Sequence, residues 1–154
     1  MCSIIGYYGE DSAAPILVKG LKRMEYRGYD SVGVATKSDK EISLRKGVGK
    51  VAEVNQSVQL DKLLGNIGIG HTRWATHGKV TDANAHPNPS NSRKIDIVHN
   101  GIIENFSELK ENLIKDGFSF KSETDTEVIA NLLQKNYSEK NDVKEALIKT
   151  LSQL

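Results

Sequence analysis

The sequence predicts an α+β domain. Strand-type runs lead in the first two thirds of the chain and helical periodicities fill the last third. That order favours segregated strands and helices over an alternating parallel sheet. Size and composition agree: 154 residues make one ordinary domain, and 38% hydrophobic with 27% charged residues suits a packed core.

Ser3 to Tyr8 is a β-type run (Ile4, Ile5, Tyr7, Tyr8) closed by Gly9. Asp11 or Ser12 can cap a helix with Pro15 near its first turn. Ile16, Leu17, Leu21 and Met24 give that helix an apolar face, and Gly28 can end it. Val32 to Thr36 and Ile42 to Leu44 read as strands joined by the polar turn Lys37-Ser38-Asp39-Lys40. Asn66 to Thr72 is a further strand, interrupted by glycines, which implies close approach of another element. Residues 75–94 show no period and hold two of the three prolines, Pro87 and Pro89, so a long irregular loop is expected. Ile95 to Val98 reads as a buried strand. Asn105 and Glu108 form a capping pair for a helix with Leu109, Leu113 and Ile114, ended by Gly117. Thr124 or Asp125 opens a helix with Val128, Ile129, Leu132 and Leu133 on one face. A last helix from about Asn141 carries Val143, Ala146, Leu147 and Leu151.

Net charge is +1, and Lys and Arg are scattered, so neither nucleic acid nor an acidic membrane surface is indicated as a partner. One cysteine rules out an intramolecular disulfide framework and fits a reducing compartment. The first residues lack a basic segment and a long apolar run, which makes the cytoplasm the expected location.

The cysteine is Cys2, directly after Met1. Removal of Met1 would leave a thiol and a free amine on one residue. An α-amino group titrates near ~7.7–8.0, so such a cysteine carries its own general base. Position alone does not make a nucleophile, and the rest of the chain must support it. Chemically capable residues cluster at expected strand ends and loops: Arg27 to Ser31, His71 to Gly78, His99 to Gly101 and Ser122 to Glu127. Each also has a plain structural reading. Asn100-Gly101 is a turn signal, Asp125 a helix cap, Trp74 a core residue and Arg73 a surface ion-pair partner. The four histidines (His71, His77, His86, His99) lack the i, i+4 spacing of a helical metal motif, so no metal is expected.

In order along the chain, Cys2, Tyr26-Arg27-Gly28-Tyr29-Asp30-Ser31, His71-Thr72-Arg73-Trp74-Ala75-Thr76-His77-Gly78, Asn84-Ala85-His86-Pro87, His99-Asn100-Gly101-Ile102-Ile103-Glu104-Asn105 and Ser122-Glu123-Thr124-Asp125-Thr126-Glu127 span nearly the whole sequence. Together they resemble the glutaminase domain of the glutamine–fructose-6-phosphate aminotransferases, a class II amidotransferase domain with an N-terminal nucleophile. Amidophosphoribosyltransferases typically carry Gln at the position of Tyr29.

The resemblance implies an Ntn-hydrolase four-layer αββα sandwich with antiparallel sheets. It implies L-glutamine as substrate, released as glutamate and ammonia, with no cofactor. Cys2 would be the nucleophile, with the Asn100 side chain and the Gly101 N–H as oxyanion donors. Arg73, with Thr76 and His77, would hold the glutamine α-carboxylate, and Asp125 the α-ammonium. Trp74 would screen the site and gate the ammonia path, with Arg27, Asp30 and His86 in support. Ammonia would pass to fructose 6-phosphate on a sugar isomerase domain outside these residues, and the resemblance admits a homodimer.

Two departures stand out. Ser3 occupies the position after the nucleophile where the family usually has Gly, so crowding of the thiol pocket is expected. The family domain also continues past the position of Leu154. Residues 1–154 therefore read as the N-terminal portion of an amidotransferase domain. Apolar faces around Val128–Leu133 and Val143–Leu151 should then lie uncovered. The alternatives are a non-catalytic module binding glutamine or a partner, or the glutaminase part of another class II amidotransferase.

Overall fold

A computed structural model of the chain describes residues 2–39, 41–75 and 78–154, the side chain of Lys140 excepted. Its central element is an antiparallel sheet of four strands: β1 (Ser3–Tyr8), β2 (Ser31–Lys37), β3 (Ile42–Val48) and β4 (Ile67–Arg73), in the order β1-β4-β2-β3. α1 (Ala13–Met24) and α2 (Val51–Val58) cover one face. Leu17 and Leu21 of α1, Val32 and Val34 of β2 and Val51 and Val54 of α2 form the main core there. The glycines of β4 make this packing possible. A Cβ on Gly68 would lie 2.7 Å from Leu17 Cδ1, and one on Gly70 2.9 Å from Leu21 Cδ1. The close approach expected from the Gly-interrupted strand is thus α1 seated on β4.

The other face of the sheet turns toward a two-stranded ribbon, β5 (Asn88–Pro89) and β6 (Asp96–Ile97), with α4 (Thr126–Lys140) packed against it. α3 (Phe106–Lys115) and α5 (Val143–Leu151) pack on α4. The layers run helix, sheet, ribbon, helix. Between them the register aligns one cross-strand row: Lys46 on β3, Gly33 on β2, His71 on β4 and Ile4 on β1. Gly33 leaves room for the backbone of the 75–94 loop, since a Cβ would stand 2.2 Å from the His86 carbonyl oxygen. Lys46 donates to the carbonyls of Ala83, Ala85 and Pro87 at 3.0, 2.5 and 3.1 Å, which straps the loop to the sheet. Burial lowers the Lys46 ammonium to about 8.

Several expectations are corrected. α2 is absent from the sequence reading because its eight residues carry three β-branched valines and follow Lys50 rather than a Ser, Thr, Asp or Asn cap. The expected buried strand 95–98 is only Asp96–Ile97 and is half-buried; its partner β5 contains Pro89, which has no N–H to donate. Asn105 precedes α3 but makes no side-chain cap, its amide donating instead to the Gln153 carbonyl at 2.8 Å. On α4, the Val128–Leu133 stretch expected to lie uncovered is largely buried, with Val128 at 0% and Leu132 at 3% exposure and Leu133 half-buried. On α5 the expectation holds: the apolar residues Val143, Leu147, Ile148 and Leu151 face outward. The α4 side of α5 is instead fixed by Ala146 and by an Asn136 to Thr150 side-chain bond of 3.0 Å.

Candidate active site

Alternation along β1 decides where the thiol points. Ile5 and Tyr7 pack onto the α1 core, so Ser3 shares their face and Cys2 shares the opposite face with Ile4. Ser3 is buried, and its hydroxyl donates to the Met24 carbonyl at 3.3 Å. The crowding expected from Ser3 does not arise, because its side chain anchors the strand to the end of α1 on the far side of the sheet. Cys2 lies one step beyond the β1–β4 ladder. There its sulfur accepts the Trp74 N–H at 3.2 Å and lies 3.6 Å from the Trp74 carbonyl oxygen.

Cys2 lines a cavity of about 550 Å³ with Arg27, His71, Arg73, Trp74, His86, His99, Asn100, Gly101, Asp125 and Thr126 among its walls. The hairpin turn that Asn100-Gly101 could have made is not formed; among the described residues no strand follows it. The segment instead runs across the end of the sheet. The Asn100 Nδ2 donates to the Cys2 carbonyl at 3.2 Å, and its Oδ1 lies 2.8 Å from His71 Nε2. A Cβ at 101 would come within 2.7 Å of His99 Nε2, so a larger residue there would displace the His99 ring.

Arg73 ends β4 and is 5% exposed, with Nη1 donating to the Lys79 carbonyl at 3.3 Å. Asp125 precedes α4 but does not cap it. Its Oδ2 accepts the Ile103 N–H at 2.8 Å, and Thr126 Oγ1 stands 3.5 Å from its Oδ1. Arg73 and Asp125 thus bring opposite charges to one cavity that also holds the thiol. Asp30 pins the 73–75 stretch: its carboxylate accepts the Ala75 N–H and the Ser31 hydroxyl, and its N–H donates to the Arg73 carbonyl at 3.1 Å. The exposed Trp74 ring meets Tyr29 edge-on, centroids 5.1 Å apart. Arg27 sits on the cavity wall, exposed, in the turn after α1. Thr76 and His77 lie outside the described residues. Among the described residues no three His, Cys, Asp or Glu side chains converge as a metal cage.

Motif residues complete the floor, among them His86, expected in support, and His71, Asn84 and Glu123, to which the sequence assigned no role. His71 and His86 stack with ring centroids 4.4 Å apart, and His86 Nε2 lies 2.8 Å from Thr126 Oγ1. Burial lowers the His71 imidazole to about 4 and pushes His86 well below the ordinary histidine range. Asn84 ties two loops together, donating to the Lys79 carbonyl and Glu123 and accepting the Glu123 N–H at 2.8 Å. Period and capping rules carry no signal for such links, which form between residues about 40 positions apart.

The family model described as Glutamine amidotransferase domain matches residues 55–143, and the chain belongs to that family. Its fold is of the Ntn-hydrolase type. The structure of glutamine phosphoribosylpyrophosphate amidotransferase from B. subtilis, complexed with ADP and GMP, superposes with a TM-score of 0.84 at 30% identity, over 100% of this chain and 33% of that one. A second, the allosteric regulatory enzyme of purine biosynthesis, gives 0.86 at 30% identity and the same coverage. In sequence the chain is nearer to another branch. It is 52% identical over 154 residues to the glutamine–fructose-6-phosphate aminotransferase (isomerizing) of Thermococcus kodakarensis, covering all of this chain and 26% of the relative. The same enzyme of Pyrococcus horikoshii is 57% identical over 136 residues, 88% of this chain and 23% of the relative. The chain therefore spans about a quarter of the length of these relatives.

Proposed function

We propose that the chain is the glutaminase part of a glutamine–fructose-6-phosphate aminotransferase. One observation carries this reading: the Cys2 thiol, the Asn100 amide, the Arg73 guanidinium and the Asp125 carboxylate line a single cavity. After removal of Met1, the α-amine of Cys2 takes the thiol proton while the sulfur attacks the carboxamide carbon of L-glutamine. The carbonyl oxygen becomes an oxyanion, held by the Asn100 Nδ2–H and the Gly101 N–H. The ammonium then gives its proton to the leaving NH₂, ammonia departs, and a thioester remains. Water then gives a proton to the α-amine as its oxygen attacks the thioester carbonyl, the C–S bond breaks to release glutamate, and the ammonium returns the proton to the Cys2 thiolate.

Arg73 suits the α-carboxylate because its planar fork donates twice; Thr76 and His77 follow it in sequence and complete that end of the pocket in this reading. Asp125 offers Oδ1 to the α-ammonium while Oδ2 stays fixed on the Ile103 N–H. Trp74 screens the sulfur from solvent, and Arg27, Asp30 and His86 hold the walls. The ammonia goes to fructose 6-phosphate on a sugar isomerase domain outside these residues, which is what the names and lengths of the relatives support. The test is glutamate release from L-glutamine by Met1-free protein, with and without Cys2→Ala. Turnover that depends on Cys2 is expected; a Cys2-independent rate equal to wild type would reject the assignment.

A further inference from the structure

The orientation of Asn100 follows from its neighbours. The Cys2 carbonyl can only accept, so the Asn100 side chain must turn its NH₂ toward it, at 3.2 Å. Its Oδ1 then faces His71 Nε2 at 2.8 Å, and that nitrogen must carry a proton. Were Nε2 bare, either orientation of the amide would set two acceptors against each other, at Nε2 or at the Cys2 carbonyl, and the side chain would lose its fixed direction. The His71 ring is held for this task. It is 1% exposed, lies in the cross-strand row beside Gly33, and stacks on His86. Among the described residues its buried Nδ1 makes no hydrogen bond of ordinary geometry, although the nearby His99 backbone carbonyl favours a proton on the ring, so the Asn100 contact is the one well-formed bond that selects the tautomer.

We propose that His71 is a positioning residue for amide hydrolysis: its Nε2–H fixes the Asn100 side chain so that the second Nδ2 hydrogen aims at the developing oxyanion. This rests on the glutaminase reading. It adds a cavity-wall residue whose effect on the reaction runs through Asn100. Burial, which lowers the imidazole to about 4, keeps the ring neutral at physiological pH, and the Asn100 Oδ1 contact places its one proton on Nε2.

The test compares two substitutions in Met1-free protein. His71→Phe keeps a stacking ring without the N–H, and His71→Gln places an amide N–H near the Nε2 position. His71→Phe is expected to lower kcat about 10- to 100-fold, since misplacing a reacting group by ~1 Å can cost ~10²-fold. KM should stay within about threefold, because Arg73 and Asp125 are untouched. His71→Gln should recover most of the lost kcat. Equal kcat for His71→Phe and wild type, or equal losses in both variants, would overturn the proposal. A readout independent of turnover is the ¹⁵N–¹H long-range spectrum of the wild-type imidazoles. A proton on His71 Nε2 alone is expected, and an Nδ1–H form would overturn the proposal even in an inactive chain. Absence of turnover in wild type beside the expected spectrum would instead count against the glutaminase reading.

Discussion

At the scale of single residues, the site is a set of orientations. Trp74 N–H steadies the sulfur, Asp30 holds the backbone behind Trp74, and His71 turns Asn100. Cys2→Ala should leave no detectable glutamine hydrolysis, and Cys2→Ser at most a trace, because a hydroxyl is a far weaker nucleophile at neutral pH. Steady-state glutamate release checks both. Arg73→Lys should raise KM for glutamine roughly 10-fold, the loss of about one charge-assisted hydrogen bond. Asp125→Asn should act in the same direction through the ammonium. Wild-type KM in both variants would mean that another pair of groups holds the substrate. The residues that carry this chemistry were legible as order and type: Cys2, Arg73, Asn100 and Asp125 lie in motif segments. His71, Asn84 and Glu123 lie in the same segments, but their roles were not legible, because they act only through contacts made by the fold.

At the scale of elements, β-alternation and glycine spacing do most of the positioning. The 2-residue period sends Ser3 to α1 and Cys2 to the cavity, and it puts His71 and Arg73 on the same face of β4. β1, α1, β2 and β4 were readable because alternation or helical spacing is strong and their ends are marked. α2 was not, since it is short, valine-rich and held in place by packing on β3 rather than by propensity. The apolar stripe of α5 lies uncovered, as expected of it, because its contact with α4 is made by Ala146 and the polar pair Asn136–Thr150. Gly33→Ala tests the element that carries the 75–94 loop. Its methyl would stand 2.2 Å from the His86 carbonyl oxygen and 2.6 Å from Lys46 Cβ. A loss of about 1–3 kcal/mol in urea unfolding is expected from overpacking, with a fall in kcat as the loop is pushed off the sheet. A variant of unchanged stability would show that the loop seat is not tight.

Over the whole molecule, two cores flank the site. One lies between the sheet and α1 with α2, and the other gathers Leu113, Val128 and Leu132 beneath α3 and α4. The polar seam between them makes stability sensitive to acid. Burial lowers His71 and His86 below the 6.5 they have when unfolded, so the unfolded chain binds more protons as pH falls from 6.5 toward 4. Asp96, raised by burial from 3.8 to about 6, opposes them with one proton held by the native state. Two protons against one leave stability falling as pH drops through this window. The urea midpoint should decline from pH 6.5 to 4, and His71→Gln should flatten the decline. A midpoint that rises on acidification would mean the histidines are not buried neutral. The account as a whole turns on Cys2 acting with its own α-amine. The most direct measurement is intact mass after exposure to a glutamine-like electrophile, run on Met1-free protein and on protein that retains Met1. The account predicts one adduct, on Cys2, in the first sample and none in the second. Equal labelling of both, or labelling that survives Cys2→Ala, would contradict it.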